Sequence, residues 1–413
     1  MVKKGLNNFF EKFLKQDSLF ANKKAMQTSY VPQEIYHRDE QINQIAEILA
    51  PVLKLEKPSN LFIYGKTGTG KTLSVRYTTD NIIEVAKENN VNVKVLYINC
   101  KLKRVADTEY RLIAEIAREG FGKDIPATGL PTDEIYKIFF TALDQEEQIL
   151  VLILDEIDQL IKKTGDEIIY NLTRINSELK NAQISLIGIS NDLMFANHID
   201  PRVKSSLSEE ELIFPPYNAL QIQDILKKRA EVAFKPGILD AGVIPKCAAY
   251  AAREHGDARR AIDLLRVAGE LAERTKSPKV EIKQIDEAEE KIERDRIVDI
   301  VKTQPKQFQA TMLSIFVLLK ANKEGKKKGI YTGDVYDVYK DICPKVSLRP
   351  ITQRRLSDII AELDMLGLIN AKVISKGRFG RTREIQISMP THLLGKVQQL
   401  LAKELDIDEK VFL

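Results

Sequence analysis

Short apolar runs, each followed by a segment with helical periodicity, alternate along the first half of the chain. The first run starts at Asn60, and the later predicted strands are Val93–Asn99, Ile149–Asp155, Ile184–Ser190 and Glu211–Phe214. Strands that alternate with helices predict an α/β fold with a parallel, doubly wound sheet that is covered on both faces.

The helical segments of this half include two that are unusual. One crossover helix would suffice between the second and third strands, yet the pattern predicts two, and the first of them is flanked by basic residues. The predicted helices are Leu6–Lys15, Glu40–Leu53, Thr108–Glu119 and Thr132–Gln145. An inserted basic helix indicates either a solvated face or a contact with an anionic partner.

After Pro215 and Pro216 the predicted strands stop, and residues 219–291 have helical periodicity, with Gly256 and Asp257 between two helices. A charged helix, Ile285–Val301, is a predicted linker. Three helices and two strands follow, Ala310–Ala321, Gly333–Asp341, Ile351–Leu366, Ile369–Ser375 and Arg383–Ser388. This order, with a basic loop between the strands, predicts a winged helix-turn-helix.

The predicted domains are an N-terminal arm (1–29), an α/β domain (30–216), a helical subdomain (217–302), a winged-helix domain (303–395) and a C-terminal tail (396–413).

Length and composition narrow the class of protein. A chain of 413 residues is too long for one core. The apolar runs are too short to cross a bilayer and the N-terminus lacks the apolar segment of a signal peptide, so we expect a cytoplasmic protein without membrane contact. Three distant cysteines offer neither a disulfide framework nor a metal site. The net charge of +4 alone does not establish a nucleic-acid partner.

A glycine-rich turn follows the first strand and leads into a helix. Its backbone N–H groups and the helix N-terminus favour phosphate binding. Lys71 is expected to reach the β- and γ-phosphates of ATP or ADP, and the Thr72 hydroxyl is an expected Mg²⁺ ligand. The predicted contacts with nucleotide from this segment are Gly65, Lys66, Thr67, Gly68, Thr69, Gly70, Lys71, Thr72 and Leu73.

Polar residues at other strand and helix ends suit the same site. Asp155 ends a buried strand and would hold Mg²⁺, and Glu156 would orient or deprotonate the attacking water. Asn191 ends the next strand and would position the water or contact the γ-phosphate. Arg259, in the first turn of a helix, could reach the γ-phosphate and couple nucleotide state to the helical subdomain.

Together these motifs resemble the Walker A, Walker B, sensor 1 and sensor 2 motifs of AAA+ ATPases. With a winged helix behind and an extra helix before the Walker B strand, the chain is similar to the archaeal origin-recognition initiators. The resemblance implies an AAA+ P-loop sheet with a helical lid. It also implies that the segments starting at Tyr30 and His37 frame the adenine, and that the nucleotide contacts include Val31, Pro32, Arg38, Tyr217, Arg229 and Arg259. The inserted helix matches a motif that touches DNA in that family, which implicates Arg104 and Arg111.

One segment departs from the pattern of related AAA+ proteins. Ser206 occupies the place where an arginine finger is often found, although Arg202 or Lys204 could replace it. We therefore expect slow hydrolysis, with ADP held tightly.

Charge supports a DNA contact in the last domain. Residues 345–383 carry nine basic and three acidic side chains, a net charge of +6, in a chain whose total is +4. The start of a recognition helix reads bases, and a wing suits phosphates and the minor groove. The predicted DNA-binding residues here are Arg349, Thr352, Gln353, Arg354, Lys376, Gly377, Arg378, Phe379, Gly380 and Arg381. Winged helices also bind proteins, and that alternative stays open.

The sequence thus predicts a slow ATPase that initiates DNA replication, binding duplex origin DNA with the wing and the inserted helix and recruiting or loading the replicative MCM helicase. A paralogous initiator could share the DNA, and such a protein would be nucleoid-associated. Two alternatives remain: a DNA motor, such as a branch-migration helicase or clamp loader, and a nucleotide-switched transcription regulator. A motor would need a clear arginine finger, and a regulator usually carries a sensor domain.

Overall fold

The computed structural model describes residues 17–28, 30–101, 108–126, 129–193, 200–201, 209–254, 256–323, 329–375, 381–390 and 393–407. They form two compact units, residues 1–286 and 287–413. Several sequence predictions lie outside the described residues, namely the helix Leu6–Lys15, the DNA contact Arg104, the finger candidates Arg202, Lys204 and Ser206, and the wing residues Lys376, Gly377, Arg378, Phe379 and Gly380.

The first unit contains a five-stranded parallel sheet. Its strands are β1 (Asn60–Tyr64), β2 (Val93–Asn99), β3 (Gln148–Asp155), β4 (Ala182–Ser190) and β5 (Glu209–Ile213). They pair in the order β2-β3-β4-β1-β5. The predicted α/β fold class is confirmed. Each predicted strand of this sheet begins within two residues of the first residue of the observed strand.

Alternation along β3 shows how the sheet is covered. Leu150, Leu152 and Leu154 pack into one hydrophobic cluster, whereas Ile149, Val151 and Ile153 pack into another on the opposite face. All eight residues of β3 are buried. A strand buried on both faces reads as a continuous apolar run, which is why the sequence revealed it.

Within the described ranges, the helices that accompany the sheet are α1 (Asp39–Leu49), α2 (Lys71–Glu88), α3 (Glu109–Phe121), α4 (Thr132–Leu143), α5 (Ile157–Thr164) and α6 (Glu167–Arg174). The two predicted between β2 and β3 are both present. The prediction Glu40–Leu53 was too long, because the α-helix ends at Leu49 and a 3₁₀ turn, Ala50–Lys54, follows. Pro51 lacks the N–H that a longer α-helix would need.

The helical subdomain, called the lid below, comprises α7 (Ala219–Ala233), α8 (Val243–Arg253) and α9 (Ala258–Thr275). The described part of the predicted N-terminal arm packs on it. The Phe20 ring lies 4.5 Å from the Phe234 ring, and Lys23 Nζ lies 2.9 Å from Glu270 Oε1. This segment is therefore packed against the lid over residues 17–28, where we had expected an irregular arm.

The helix α10 (Ile282–Thr303) passes through the boundary at residue 286, and the second unit continues with a winged helix. Its elements are α11 (Lys306–Lys323), β6 (Ile330–Tyr331), α12 (Thr332–Ile342), α13 (Gln353–Met365), β7 (Ile369–Ser375), β8 (Arg381–Ile387) and α14 (Leu394–Leu405). The three strands pair antiparallel in the order β6-β8-β7. The two-residue strand β6 was not predicted, because it is too short to show alternation.

The helix α14 differs from the sequence prediction. We expected a tail from residue 396, but Val397, Leu401 and Leu405 belong to the hydrophobic cluster of the winged helix. Their spacing places them on one helix face, so this helix is part of the core of the second unit. Across the described ranges, no helix is both long and apolar enough to traverse a membrane.

Candidate functional site

The loop between β1 and α2 has the geometry that its glycines predict. Gly68 and Gly70 adopt φ angles of +70° and +90°, in the left-handed region that glycine tolerates. An added Cβ at Gly70 would lie 2.7 Å from the Tyr217 hydroxyl. The loop therefore needs glycine both for its turn and for its close approach to Tyr217, just before the lid.

Lys71 begins α2 and is 5% exposed. Its ammonium group donates hydrogen bonds to Gly65 O at 2.6 Å, Lys66 O at 2.8 Å and Asn191 Oδ1 at 2.9 Å. Burial lowers the pKa of Lys71 from 10.5 to about 8. The cation is thus held in the loop, at the position from which a P-loop lysine contacts phosphates.

The carboxylate of Asp155 lies beside the hydroxyl of Thr72. Thr72 Oγ1 donates to Asp155 Oδ2 at 2.9 Å, and the Tyr97 hydroxyl donates to the same oxygen at 2.5 Å. The backbone N–H of Glu156 donates to Asp155 Oδ1 at 3.0 Å. Because hard oxygen donors are what Mg²⁺ prefers, Thr72 and Asp155 suit a magnesium–nucleotide complex.

Glu156 lies directly after β3 in the left-handed region, with φ +56°. Its carboxylate is 3.5 Å from Lys101 Nζ, at the end of β2. β3 and β4 are neighbours in the sheet, so Asn191, which follows β4, lies at the same edge as Asp155. The structure therefore brings Lys71, Asp155, Glu156 and Asn191 together.

The lid meets the phosphate loop at the start of α9. Asp257 caps this helix by accepting the N–H of Arg259 at 2.8 Å. Its other carboxylate oxygen accepts from Thr67 Oγ1 at 3.3 Å, and Ala258 N–H donates to Gly68 O at 3.3 Å. A nucleotide phosphate in the loop would consequently lie next to the lid.

Arg38, a predicted nucleotide contact, lies beside the phosphate loop and is held there by backbone carbonyls. The side chain is 2% exposed, and its guanidinium donates to Thr69 O at 2.9 Å and Pro215 O at 2.6 Å. It also stacks 3.8 Å from the Tyr217 ring. Burial lowers the pKa of Arg38 and raises that of Tyr217. Arg38 thus joins the phosphate loop to the chain before the lid through backbone carbonyls.

A cavity of about 420 Å³ opens beside the loop, between the lid and the segment from Thr28 to Tyr36. The predicted nucleotide residues that line it are Pro32, Gly68, Gly70, Leu73, Tyr217, Arg229 and Arg259. Arg229 Nη2 donates to Tyr30 O at 3.1 Å, and burial lowers the pKa of Arg229. Val31 is 53% exposed and lies outside this lining.

A second candidate surface is the start of α13 in the winged helix. Thr352 caps the helix by accepting the Arg355 N–H at 3.4 Å, while Leu356, Ile359 and Ile360 are buried. Arg349, Thr352, Gln353 and Arg354 are exposed. A concave groove there is lined by Thr332, Gln353, Arg354, Ser357, Val373, Thr382 and Arg383.

The remaining predicted DNA residues are Arg111 and Arg381. The Arg111 side chain is exposed on α3, whose Leu112, Ile113 and Ile116 are buried. Arg381 is the first residue of β8 and pairs with Ser375 across the wing.

Some residues at the nucleotide site were missed. Tyr97 contacts Asp155, and Asp257 contacts the loop, yet neither was assigned a role. Tyr97 lies on β2 beside Ile153 of β3, two positions before the strand ends. Its place next to the Asp155 strand could have been inferred only from the strand order, whereas Asp257 has the Asp-at-N-cap signal.

Comparison with known proteins identifies the chain. It is 53% identical over 395 residues to the ORC1-type DNA replication protein of Pyrococcus horikoshii, a match that covers 95% of this chain and 93% of the relative. It is 51% identical over 398 residues to ORC1-type DNA replication protein 1 of Methanosarcina mazei, covering 96% and 94%. The chain belongs to the family of ORC1-type DNA replication proteins.

Three family models match successive parts of this ORC1-type chain: an AAA domain over residues 55–193, a Cdc6 AAA+ ATPase-type lid domain over 223–290 and a CDC6 C-terminal winged helix domain over 299–396. Among solved structures, the Aeropyrum pernix ORC1 protein in complex with DNA matches with a TM-score of 0.81 and 43% identity, covering 94% of this chain and 98% of that one. The predicted AAA+ and initiator family is confirmed, and so is an ATPase-type nucleotide domain. The role of each site residue in this ORC1-type protein stays a prediction.

Proposed function

We propose that this replication initiator binds duplex origin DNA through the start of α13 and is regulated by bound ATP or ADP. The observation that carries this proposal is the exposed, capped first turn of α13, where Thr352, Gln353 and Arg354 point away from the buried face of the helix. In helix-turn-helix proteins these positions reach base edges in the major groove. The Aeropyrum pernix relative, 43% identical, was solved in complex with DNA.

Arg349, Lys372 and Arg383 support the DNA contact by charge. Each lies on or beside the helix and strands that form the groove, and guanidinium and ammonium groups there suit phosphates. The exposed Arg111 of α3 is a separate proposed DNA contact in the first unit, and the wing residues 376–380 stay candidates from the sequence alone. A protein with this surface would associate with the nucleoid.

The nucleotide would act mainly as a conformational ligand. The contacts of Thr67 and Gly68 with Asp257 and Ala258 join the phosphate loop directly to the lid. A ligand shifts such an equilibrium only by its differential affinity for the two lid positions. An added γ-phosphate near Arg259 supplies that difference, and slow hydrolysis would then remove it.

Mg²⁺ would be held with the nucleotide by Thr72 and Asp155, whose oxygens lie 2.9 Å apart. The ion would neutralise phosphate charge during hydrolysis. Asp155 would orient its water ligands, and Glu156, 3.5 Å from Lys101, would orient or deprotonate the attacking water.

We also propose two protein partners, as the resemblance to origin-recognition initiators implies. They are the replicative MCM helicase, which the protein would recruit or load, and a paralogous initiator on the same DNA. A pull-down of MCM helicase by the DNA-bound protein, with and without ATP, tests the first. Absence of MCM from the DNA-bound fraction under both conditions would contradict recruitment.

The decisive experiment is a footprint of the full chain across the intergenic DNA of its own genome, with ATP and with ADP, beside a measurement of turnover. Protection of a few discrete duplex sites, with slow turnover, is expected. Arg354→Ala should weaken protection, whereas Lys227→Ala, an exposed charge of the lid outside the cavity lining, should leave it unchanged. Diffuse protection with rapid DNA-stimulated hydrolysis would instead indicate a DNA motor and would refute the proposal.

A further inference from the structure

The hydroxyl of Tyr97 contacts the carboxylate of Asp155, although it lies on a different strand and outside the motifs of the nucleotide site. Tyr97 is on β2, next to Ile153 of β3, two positions before the level of Asp155 in the paired strands. Its hydroxyl donates to Asp155 Oδ2 at 2.5 Å, the same oxygen that accepts from Thr72 at 2.9 Å.

We infer that Tyr97 is a positioning residue of the magnesium–nucleotide site, which holds the Asp155 carboxylate toward Thr72. This inference rests on the proposed Mg²⁺ site. Both carboxylate oxygens of Asp155 accept hydrogen bonds, Oδ1 from Glu156 N–H at 3.0 Å and Oδ2 from the two hydroxyls. The carboxylate therefore has one preferred orientation, and Tyr97 supplies the only one of these three contacts that comes from outside the two motifs.

The Tyr97 ring is itself held in place. The Arg76 guanidinium, one turn after Thr72 on α2, stacks 3.7 Å from the ring. The phenol hydroxyl donates to Asp155, and the position of its ring is set by this neighbour on α2.

A residue that hydrogen-bonds a metal-ligating side chain orients that side chain, and its loss typically weakens metal affinity by about 10–100-fold. Mg²⁺ is expected to increase the affinity for ADP, and the midpoint of this increase is the Mg²⁺ concentration at which half of it is reached. We expect Tyr97→Phe to raise that midpoint by about tenfold, near the low end of the range. The affinity for ADP in EDTA should stay unchanged, because Tyr97 does not contact the phosphate loop. The measurement is a titration of the full chain with a fluorescent ADP analogue, from EDTA to saturating Mg²⁺.

Tyr136→Phe is the matched control. The Tyr136 hydroxyl donates to Glu109 Oε1 at 2.6 Å, so this variant also removes a bond from a phenol to a carboxylate, but on α4 rather than at the site. It should lower thermal stability as Tyr97→Phe does and leave the Mg²⁺ titration at its wild-type position. A second comparison uses Asp155→Ala and the double variant Asp155→Ala with Tyr97→Phe. The two should have the same Mg²⁺-dependent affinity for ADP, because Tyr97 has no carboxylate to orient once Asp155 is replaced.

The outcomes separate the two proposals. If the wild-type protein gains no ADP affinity from Mg²⁺, the proposed Mg²⁺ site is wrong. If the wild type gains affinity and Tyr97→Phe titrates at the same Mg²⁺ concentration, the positioning role is wrong. Should Tyr97→Phe fail to bind ADP in EDTA, Arg76→Met decides, because it uncovers the ring but keeps the hydroxyl. A smaller shift in the same direction supports the role, and an unchanged titration refutes it.

Discussion

Lys71 Nζ lies 2.9 Å from Asn191 Oδ1, so the phosphate loop and the end of β4 are joined by a hydrogen bond between their functional side chains. The two residues are 120 positions apart in the chain. β1 and β4 are neighbours in the sheet, which brings their carboxyl ends together. A ligand that attracts the ammonium group will consequently be sensed at Asn191.

The burial of Lys71 makes nucleotide affinity dependent on pH. Its pKa is lowered to about 8 in the free protein, whereas phosphate favours the ammonium form and raises the pKa in the complex. Between these two values, binding takes up a proton. ADP affinity should therefore be flat below pH 8 and fall above it, by at most about tenfold per pH unit. Isothermal titration across this range measures the slope, and heats in buffers of different ionisation enthalpy measure the proton uptake.

Lys71→Met is the control, because it removes the titrating group from the loop. Its affinity should be lower by about 10–100-fold, as expected for the loss of hydrogen bonds to a charged group. Its pH profile should be flat where that of the wild type falls. A variant profile that keeps the wild-type slope would assign the proton to another group.

The approach of the lid to the loop predicts a specific cost for Gly68→Ala. A Cβ at Gly68 would lie 1.7 Å from Asp257 Oδ1, so the carboxylate that caps α9 must leave its position. Gly122 has a similar φ, +61°, with no atom within 4 Å of its added Cβ. An alanine with a positive φ costs about 1–2 kcal/mol, and both substitutions incur this cost. Gly68→Ala should lower the free energy of unfolding further, whereas Gly122→Ala should not. Urea denaturation of the two variants gives the comparison.

Asp257→Ala tests the cause of the extra loss. Alanine removes the carboxyl atoms that face Gly68, and the loss of the helix cap is common to every variant compared in this background. In this background, Gly68→Ala should cost no more than Gly122→Ala. An undiminished difference would mean that the strain arises within the loop and not from the lid.

The parts of the site that the sequence revealed are those with local signals. Gly65 to Thr72 follow one another directly, and Asp155 ends an apolar run, so neither requires knowledge of the fold. The sheet itself was predictable because β3 and β4 are buried on both faces and read as continuous apolar segments.

The contacts that the sequence did not reveal connect distant positions. Thr67 and Asp257 are 190 residues apart, and Arg38 and Pro215 are 177 apart. Arg38 was expected to contact nucleotide, but no pattern within its own segment shows that its guanidinium faces carbonyls of the loop. Such pairings depend on the position of the lid relative to the sheet, which local periodicity does not encode.

A buried tyrosine in the winged helix leads to the last prediction. The Tyr339 hydroxyl accepts the Ile351 N–H at 3.2 Å and is hydrogen-bonded to Gln307 Oε1, and Gln307 Nε2 donates to Arg349 O at 3.1 Å. These bonds fix the backbone just before α13. Tyr339→Phe should cost about 1 kcal/mol of stability, because the half-buried Ile351 N–H and Gln307 side chain each lose a hydrogen bond. It should also weaken DNA binding by displacing the first turn of α13. The salt dependence of binding should stay the same, since no cation is lost.

Two variants serve as controls for Tyr339→Phe. Arg354→Ala should lower the salt slope by about one. Tyr336→Phe, on the same helix as Tyr339, should change neither the affinity nor the slope. Fluorescence anisotropy on a footprinted duplex at several salt concentrations measures both affinity and slope. Wild-type affinity in Tyr339→Phe would show that the backbone before α13 does not need this bond for DNA recognition.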